Sequence, residues 1–135
     1  MSRENVEIVR RIYAAERGGE AASLLELYDP DVELVAAGSL GHLVGGGTYH
    51  GYDGLRTFYR AYYDAWKHVD YAVDELIDAG ESVVSLVTNR GRGRASSIAL
   101  EWQVPGVWTF KDGKIVRVTF FSSREEALEA VGLSE

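Results

Sequence analysis

The chain has 135 residues, enough for one domain over 1–135 that buries roughly two thirds of the surface its unfolded form exposes. Its formal charge of -7 argues against nucleic-acid or anionic-membrane partners, whose phosphates are neutralised by clustered Lys and Arg. It has no cysteine, which removes disulfides, thiolate nucleophiles and cysteine metal sites, and no apolar run approaches the ~20 residues of a bilayer span. A soluble cytoplasmic protein is the expectation.

Ser2 is placed to cap a first helix over about Arg3 to Arg17, with Glu4 in the first turn, where the helix dipole favours an acid. Val6, Val9, Ile12 and Tyr13 form its apolar stripe, and Gly18-Gly19 ends it. A shorter helix over about Glu20 to Tyr28 buries Leu24, Leu25, Leu27 and Tyr28; Asp29-Pro30 stops it, because a residue before proline is pushed out of helical geometry. Val32 to Ala37 alternates as a strand. The glycine-rich stretch Gly38 to Gly54 reads as a long loop, and loops of that length often act as lids. Leu40, His42, Leu43 and Val44 are its candidate ligand contacts. Asp53 can cap a third helix over about Gly54 to Lys67, whose stripe is Leu55, Phe58, Tyr59, Tyr62 and Trp66.

The remainder reads as strands over Tyr71 to Asp78, Ser82 to Arg90, Ser97 to Trp108 and Ile115 to Phe121, followed by a capped closing helix. Asp112-Gly113 between two apolar runs is a strong hairpin signal, since such turns need positive φ at their centre. Helices first and consecutive strands after imply an α+β fold, with an antiparallel sheet carrying helices on one face.

Three strings stand in a telling order: LLELYDPDVEL at Leu24 to Leu34, YHGYDGLRTFYRAYYDAW at Tyr49 to Trp66, and the closing hairpin and helix with EEALEAVGL. Together they resemble the SnoaL-like branch of the nuclear transport factor 2-like superfamily over nearly the whole chain. The resemblance implies a cone-shaped, curved antiparallel sheet, three helices from the N-terminal half closing an internal pocket, and a short C-terminal helix. It also implies a homodimer through the outer sheet face. The family includes polyketide cyclases, ketosteroid isomerases, limonene epoxide hydrolases and pure binding domains, so the fold alone does not decide the function.

A steroid-isomerase-like site needs a carboxylate base and acidic hydrogen-bond donors in a dry pocket. The resemblance puts the base at about Ala36, the donating acid at about Gly106 and the donor tyrosine at Ile12, beside Tyr13; none of these positions carries the required group. Tyr28 and Tyr59 do match two supporting tyrosines, although core packing alone also explains them. Glu101 is then the candidate acid or base. Alternation sets Glu101 and Gln103 on one face and Leu100, Trp102 and Val104 on the other, which favours an outward Glu101 unless a bulge near Pro105-Gly106 reverses it. The resemblance gives Val84, Leu86, Thr88 and Arg90 the pocket-facing parity, making Arg90 the candidate oxyanion contact. With Arg92 and Arg94 it also reads as a solvated loop. Tyr13 or Tyr49 is the auxiliary donor.

The expected pocket lining is Tyr13, Tyr28, Tyr49, Phe58, Tyr59, Tyr62 and Trp66 from the helical side, with Leu86, Thr88, Trp102, Val118 and Phe120 from the strands. No cofactor and no metal are expected. The glycine loop lacks the Walker ending and the dinucleotide βαβ context, and His42, His50 and His68 are isolated. Two functions stand. One is a small-molecule pocket for an apolar oxygenated ligand, with cofactor-independent proton transfer as its chemistry if it is an enzyme. The other is a non-catalytic homodimeric binding or interaction module. The direction of Glu101 separates them, and a void too small for a bicyclic ligand rules out a polyketide or terpenoid.

Overall fold

The computed structural model describes residues 2–17, 21–36, 47–93 and 98–133. Helix α1 (Ser2–Arg17) buries Val9, Ile12 and Tyr13 of the expected stripe. The next segment is a 3-10 helix, Ala21–Leu27, kinked at Leu24, rather than the expected α-helix. Strand β1 (Tyr28–Ala36) starts directly after it and includes Pro30. Its ladder with the last strand shifts register between Tyr28 and Glu33, as expected around a residue that has no N–H to give the ladder. A short strand β2 (Gly47–His50) forms inside the stretch read as loop and pairs with β1. Leu40, His42, Leu43 and Val44 lie outside the described residues.

Helix α2 (Gly51–Ala65) begins earlier than the sequence suggests, at a glycine with φ +69°. Asp53 therefore sits in its first turn, where it binds Arg56 at 2.8 Å, instead of preceding the helix as a cap. Four long strands follow: β3 (Trp66–Ala79), β4 (Ser82–Gly93), β5 (Ala99–Lys111) and β6 (Lys114–Phe120). The β5–β6 turn has Asp112 at φ 53° and Gly113 at φ 80°, the double positive φ that the Asp-Gly pair signalled. Helix α3 (Arg124–Ala130) is capped by Ser123, whose hydroxyl accepts from the Glu126 N–H.

The sheet order is β2-β1-β6-β5-β4-β3. Hairpin-linked neighbours run antiparallel, but β1 and β6 run parallel, so the sheet is mixed and not purely antiparallel as expected. No hairpin joins those two strands; one is the first strand of the chain and the other the last, which leaves their relative direction unconstrained by a turn. α1, the 3-10 helix and α2 contribute to the main core with the sheet's inner face. α3 covers part of the other face, where Ala127 and Leu128 pack with Val84, Leu86 and Val107. Among the described residues no helix is long and apolar enough to cross a membrane.

Candidate functional site

The inner face of β4 carries Val83, Ser85, Val87 and Asn89; Val84 and Leu86 face α3. The expected pocket parity of Val84, Leu86, Thr88 and Arg90 is therefore reversed. Alternation could not show this, because α3 buries the second face of β4 as well, and Val83 and Val84 are both fully buried. Leu86 packs under α3, and the Thr88 hydroxyl donates to the exposed Asp74 carboxylate.

The β4–β5 ladder is unbroken from Ser82 opposite Thr109 to Arg92 opposite Ala99, so no bulge at Pro105-Gly106 turns Glu101 inward. Arg90 and Glu101 are brought directly opposite each other, and Arg90 Nε donates to Glu101 Oε2 at 2.8 Å. Their side chains are 67% and 60% exposed. The two candidate catalytic residues thus meet outside the cone, on a water-covered face beside Asp70, Arg92 and Leu100. Solvent screening there removes the dry environment a proton-transfer carboxylate needs.

The cone's cavity is lined by Tyr13, Phe58, Tyr62, Tyr71, Val87, Asn89, Val104 and Phe120. Phe58 is stacked between Tyr62 and Phe120 at centroid distances of 6.3 and 6.0 Å, and Tyr62 stacks on Tyr71 at 6.2 Å. The void is narrow, about 30 Å³ for the centre of a water-sized sphere. A cavity of about 150 Å³ is what holds a benzene ring in an engineered apolar core. A bicyclic ligand does not fit these walls as they stand.

Two polar sets border the void. Trp108 Nε1 donates to Ser85 Oγ at 2.8 Å, and Tyr13 Oη lies 3.0 Å from the same oxygen. The indole can only donate, so Ser85 Oγ accepts from it, while between Ser85 and Tyr13 either hydroxyl can be the donor. In the second set, Asn89 Nδ2 donates to Tyr62 Oη at 2.6 Å.

The model of the SnoaL-like domain matches residues 9–118. The chain belongs to the SnoaL-like family. Its fold is similar to that of an NTF2-like protein of unknown function from Burkholderia pseudomallei K96243, at 26% identity and TM-score 0.78 over 96% of this chain and 98% of that one. It is also similar to TerC, crystallised with polyporic acid, at 25% identity and TM-score 0.77 over 95% and 98%. A protein of ketosteroid-isomerase-like fold from Catenulispora acidiphila DSM 44928, in complex with trimethylamine, shares the fold at 19% identity and TM-score 0.73 over 94% and 93%. No curated protein matches.

In this SnoaL-like domain the positions where the resemblance puts an isomerase base and acid are built over. Ala36 is buried in the core. A Cβ on Gly106 would lie 2.9 Å from Ser85 Oγ and 3.2 Å from two Phe120 ring carbons, so no acidic side chain fits there. Ile12 is buried in the core, and it is Tyr13 that reaches the cavity. Of the expected lining, Tyr13, Phe58, Tyr62 and Phe120 border the void. Tyr28 and Tyr59 face each other in the adjoining core, hydroxyls 3.4 Å apart, and Tyr52 donates to the Tyr28 carbonyl. Tyr49 packs on Phe58 at 5.4 Å, Trp102 packs against the core and Val118 is fully buried within it. The Trp66 side chain lies outside the described residues.

Tyr71, Val87, Asn89 and Val104 line the cavity without having been expected, and Ser85 supports it. One signal existed: Ser85 and Asn89 share a parity with Val83 and Val87, and polar groups spaced by four in an apolar strand mark a face with bonds to make. Among the described residues, no carboxylate, imidazole or amine lines the cavity, and no three potential metal ligands come together. Its chemistry is apolar contact plus phenol and carboxamide hydrogen bonding.

Proposed function

We propose that this chain is a small-molecule-binding SnoaL-like protein whose site is the aromatic cavity between α1, α2 and the inner sheet face. The ligand is apolar, of one ring or less at its buried end, and carries an oxygen function. The observation that supports this most is the void itself, walled by aromatic and valine side chains and bordered by the Tyr13–Ser85–Trp108 and Asn89–Tyr62 hydrogen bonds. Such a combination of apolar walls and a few directed polar groups is the usual make-up of a ligand site. TerC, a relative at 25% identity, was crystallised with an organic molecule, polyporic acid, which supports the same role. Entry of a ring requires the lining side chains to give. Proton transfer by Glu101 draws no support from an exposed ion pair outside the cone.

The test is amide chemical-shift mapping with phenol as the probe. The shifts should centre on Val87, Asn89 and Val104, and cavity-filling Val87→Leu and Val104→Leu should weaken binding about tenfold by removing space of methylene size. Shifts centred on Arg90 and Glu101, or unchanged affinity in both folded variants, would overturn the assignment. The homodimer implied by the resemblance is tested by light scattering, where a mass near the 14.9 kDa of one chain at micromolar concentration counts against it.

A further inference from the structure

Resting on the cone as the ligand site, we infer that Asn89 selects the ligand by accepting a hydrogen bond from an O–H or N–H group of the bound molecule. Asn89 is 3% exposed and lines the cavity. Its Nδ2 end is engaged with Tyr62 Oη at 2.6 Å. Its other end, Oδ1, is buried and has no hydrogen-bond partner among the described residues. Buried carbonyls in that condition are rare, and each asks for an explanation such as an ion, a water or a ligand.

The bond to Tyr62 holds one end of a planar amide, so Oδ1 cannot turn away to find another donor without breaking it. The acceptor is thereby set before anything binds, and its lost hydration has already been incurred in folding. A guest with a hydroxyl or N–H completes the arrangement, while an ether or ketone leaves Oδ1 as it was. Sites built around a buried polar group reject a ligand lacking the partner far more strongly than apolar pockets reject an added methylene. The ligand class is therefore narrower than an apolar oxygenated molecule. Its buried end is a hydrogen-bond donor, such as a phenol or an enol.

Phenol and anisole share a ring and differ in that donor. Titrated by amide chemical shifts, phenol should bind the wild-type chain at least about tenfold more tightly than anisole. Asn89→Leu should bring the ratio to about one, chiefly by weakening phenol. Tyr62→Phe removes the anchor but keeps Oδ1, and should retain a preference for phenol, which separates the acceptor from general damage to the wall. Equal binding of the two probes by wild type, or an unchanged ratio in Asn89→Leu, would assign Oδ1 to a resident water and overturn the inference. So would a preference for anisole, because the amide would then present its NH2 to the cavity. The wild-type ratio decides the matter even if Asn89→Leu does not fold. Failure of both probes to bind wild type is a different result: it removes the cone as a ligand site, and the selection with it.

Discussion

Ser85→Ala takes away the oxygen that two aromatic side chains share. Ser85 and Trp108 are both fully buried, with Trp108 Nε1 2.8 Å and Tyr13 Oη 3.0 Å from Ser85 Oγ. In the variant the indole N–H cannot reach water, which costs about 1–3 kcal/mol. Loss of the bond to Tyr13 adds about 0.5–1.5 kcal/mol, partly recoverable because Tyr13 borders the cavity and a water can enter there. The sum is about 2–4 kcal/mol, or a fall in Tm of roughly 6–15 °C for a chain of this size. Urea unfolding followed by far-UV circular dichroism measures it. Ser82→Ala is the control, on the same strand but half-buried, with its hydroxyl 3.3 Å from Thr109 Oγ1; it should cost less than about 1 kcal/mol. If the two variants lose equal stability, the indole has another acceptor and Ser85 does not hold this set together.

Arg90→Ala and Glu101→Ala remove an exposed pair, so each should change stability by no more than about 1 kcal/mol, and phenol affinity should stay at the wild-type value. A large loss of binding in either titration would return that pair to the site. Gly113→Ala forces a Cβ into φ 80°, which costs about 1–2 kcal/mol and is read in the thermal midpoint; no change in that midpoint would mean that the β5–β6 turn is not held in this geometry.

What was legible before the structure is what has a period or a fixed turn chemistry. The stripes of α1 and α2 and the Asp112-Gly113 hairpin depend on local spacing, and they stand within a few residues of expectation, except that Trp66, expected on the α2 stripe, opens β3. β2 was invisible because its four residues, Gly47–His50, are strand only by pairing with β1. The parallel β1–β6 contact is likewise a tertiary fact, with no turn to announce it. The site suffered most from β4. With α3 on one side and the cavity on the other, its run Val83 to Val87 carries apolar residues at both parities, so only the four-residue spacing of Ser85 and Asn89 marked the inward one. Glu101 escaped that ambiguity, since only one face of its stretch is apolar, and its favoured outward direction agrees with its 60% exposure.

One row across the sheet explains why the isomerase groups are missing. Ala36 pairs with Phe120, Phe120 with Gly106, and Gly106 with Ser85. The two positions where the resemblance puts a base and an acid thus flank one phenylalanine on its own parity. The Phe120 ring stacks on Phe58 and meets Trp108 edge-on at 6.1 Å. It lies where a side chain on Gly106 would begin. Gly106→Ala should therefore cost about 1–3 kcal/mol through overpacking. Phe120→Leu, a core substitution, should cost a similar amount, about 1–3 kcal/mol. The pair should cost less than the sum by about 0.5–1.5 kcal/mol, because leucine vacates the ring carbons that the new methyl meets. Ser85 Oγ, 2.9 Å from the same methyl and fixed by its own bonds, keeps the relief partial. Urea titrations of the four proteins give the cycle. Additivity within about 0.3 kcal/mol would mean that the ring does not hold this space. A coupling of the expected sign means that the volume a carboxylate on Gly106 would occupy belongs here to the aromatic wall of the cavity.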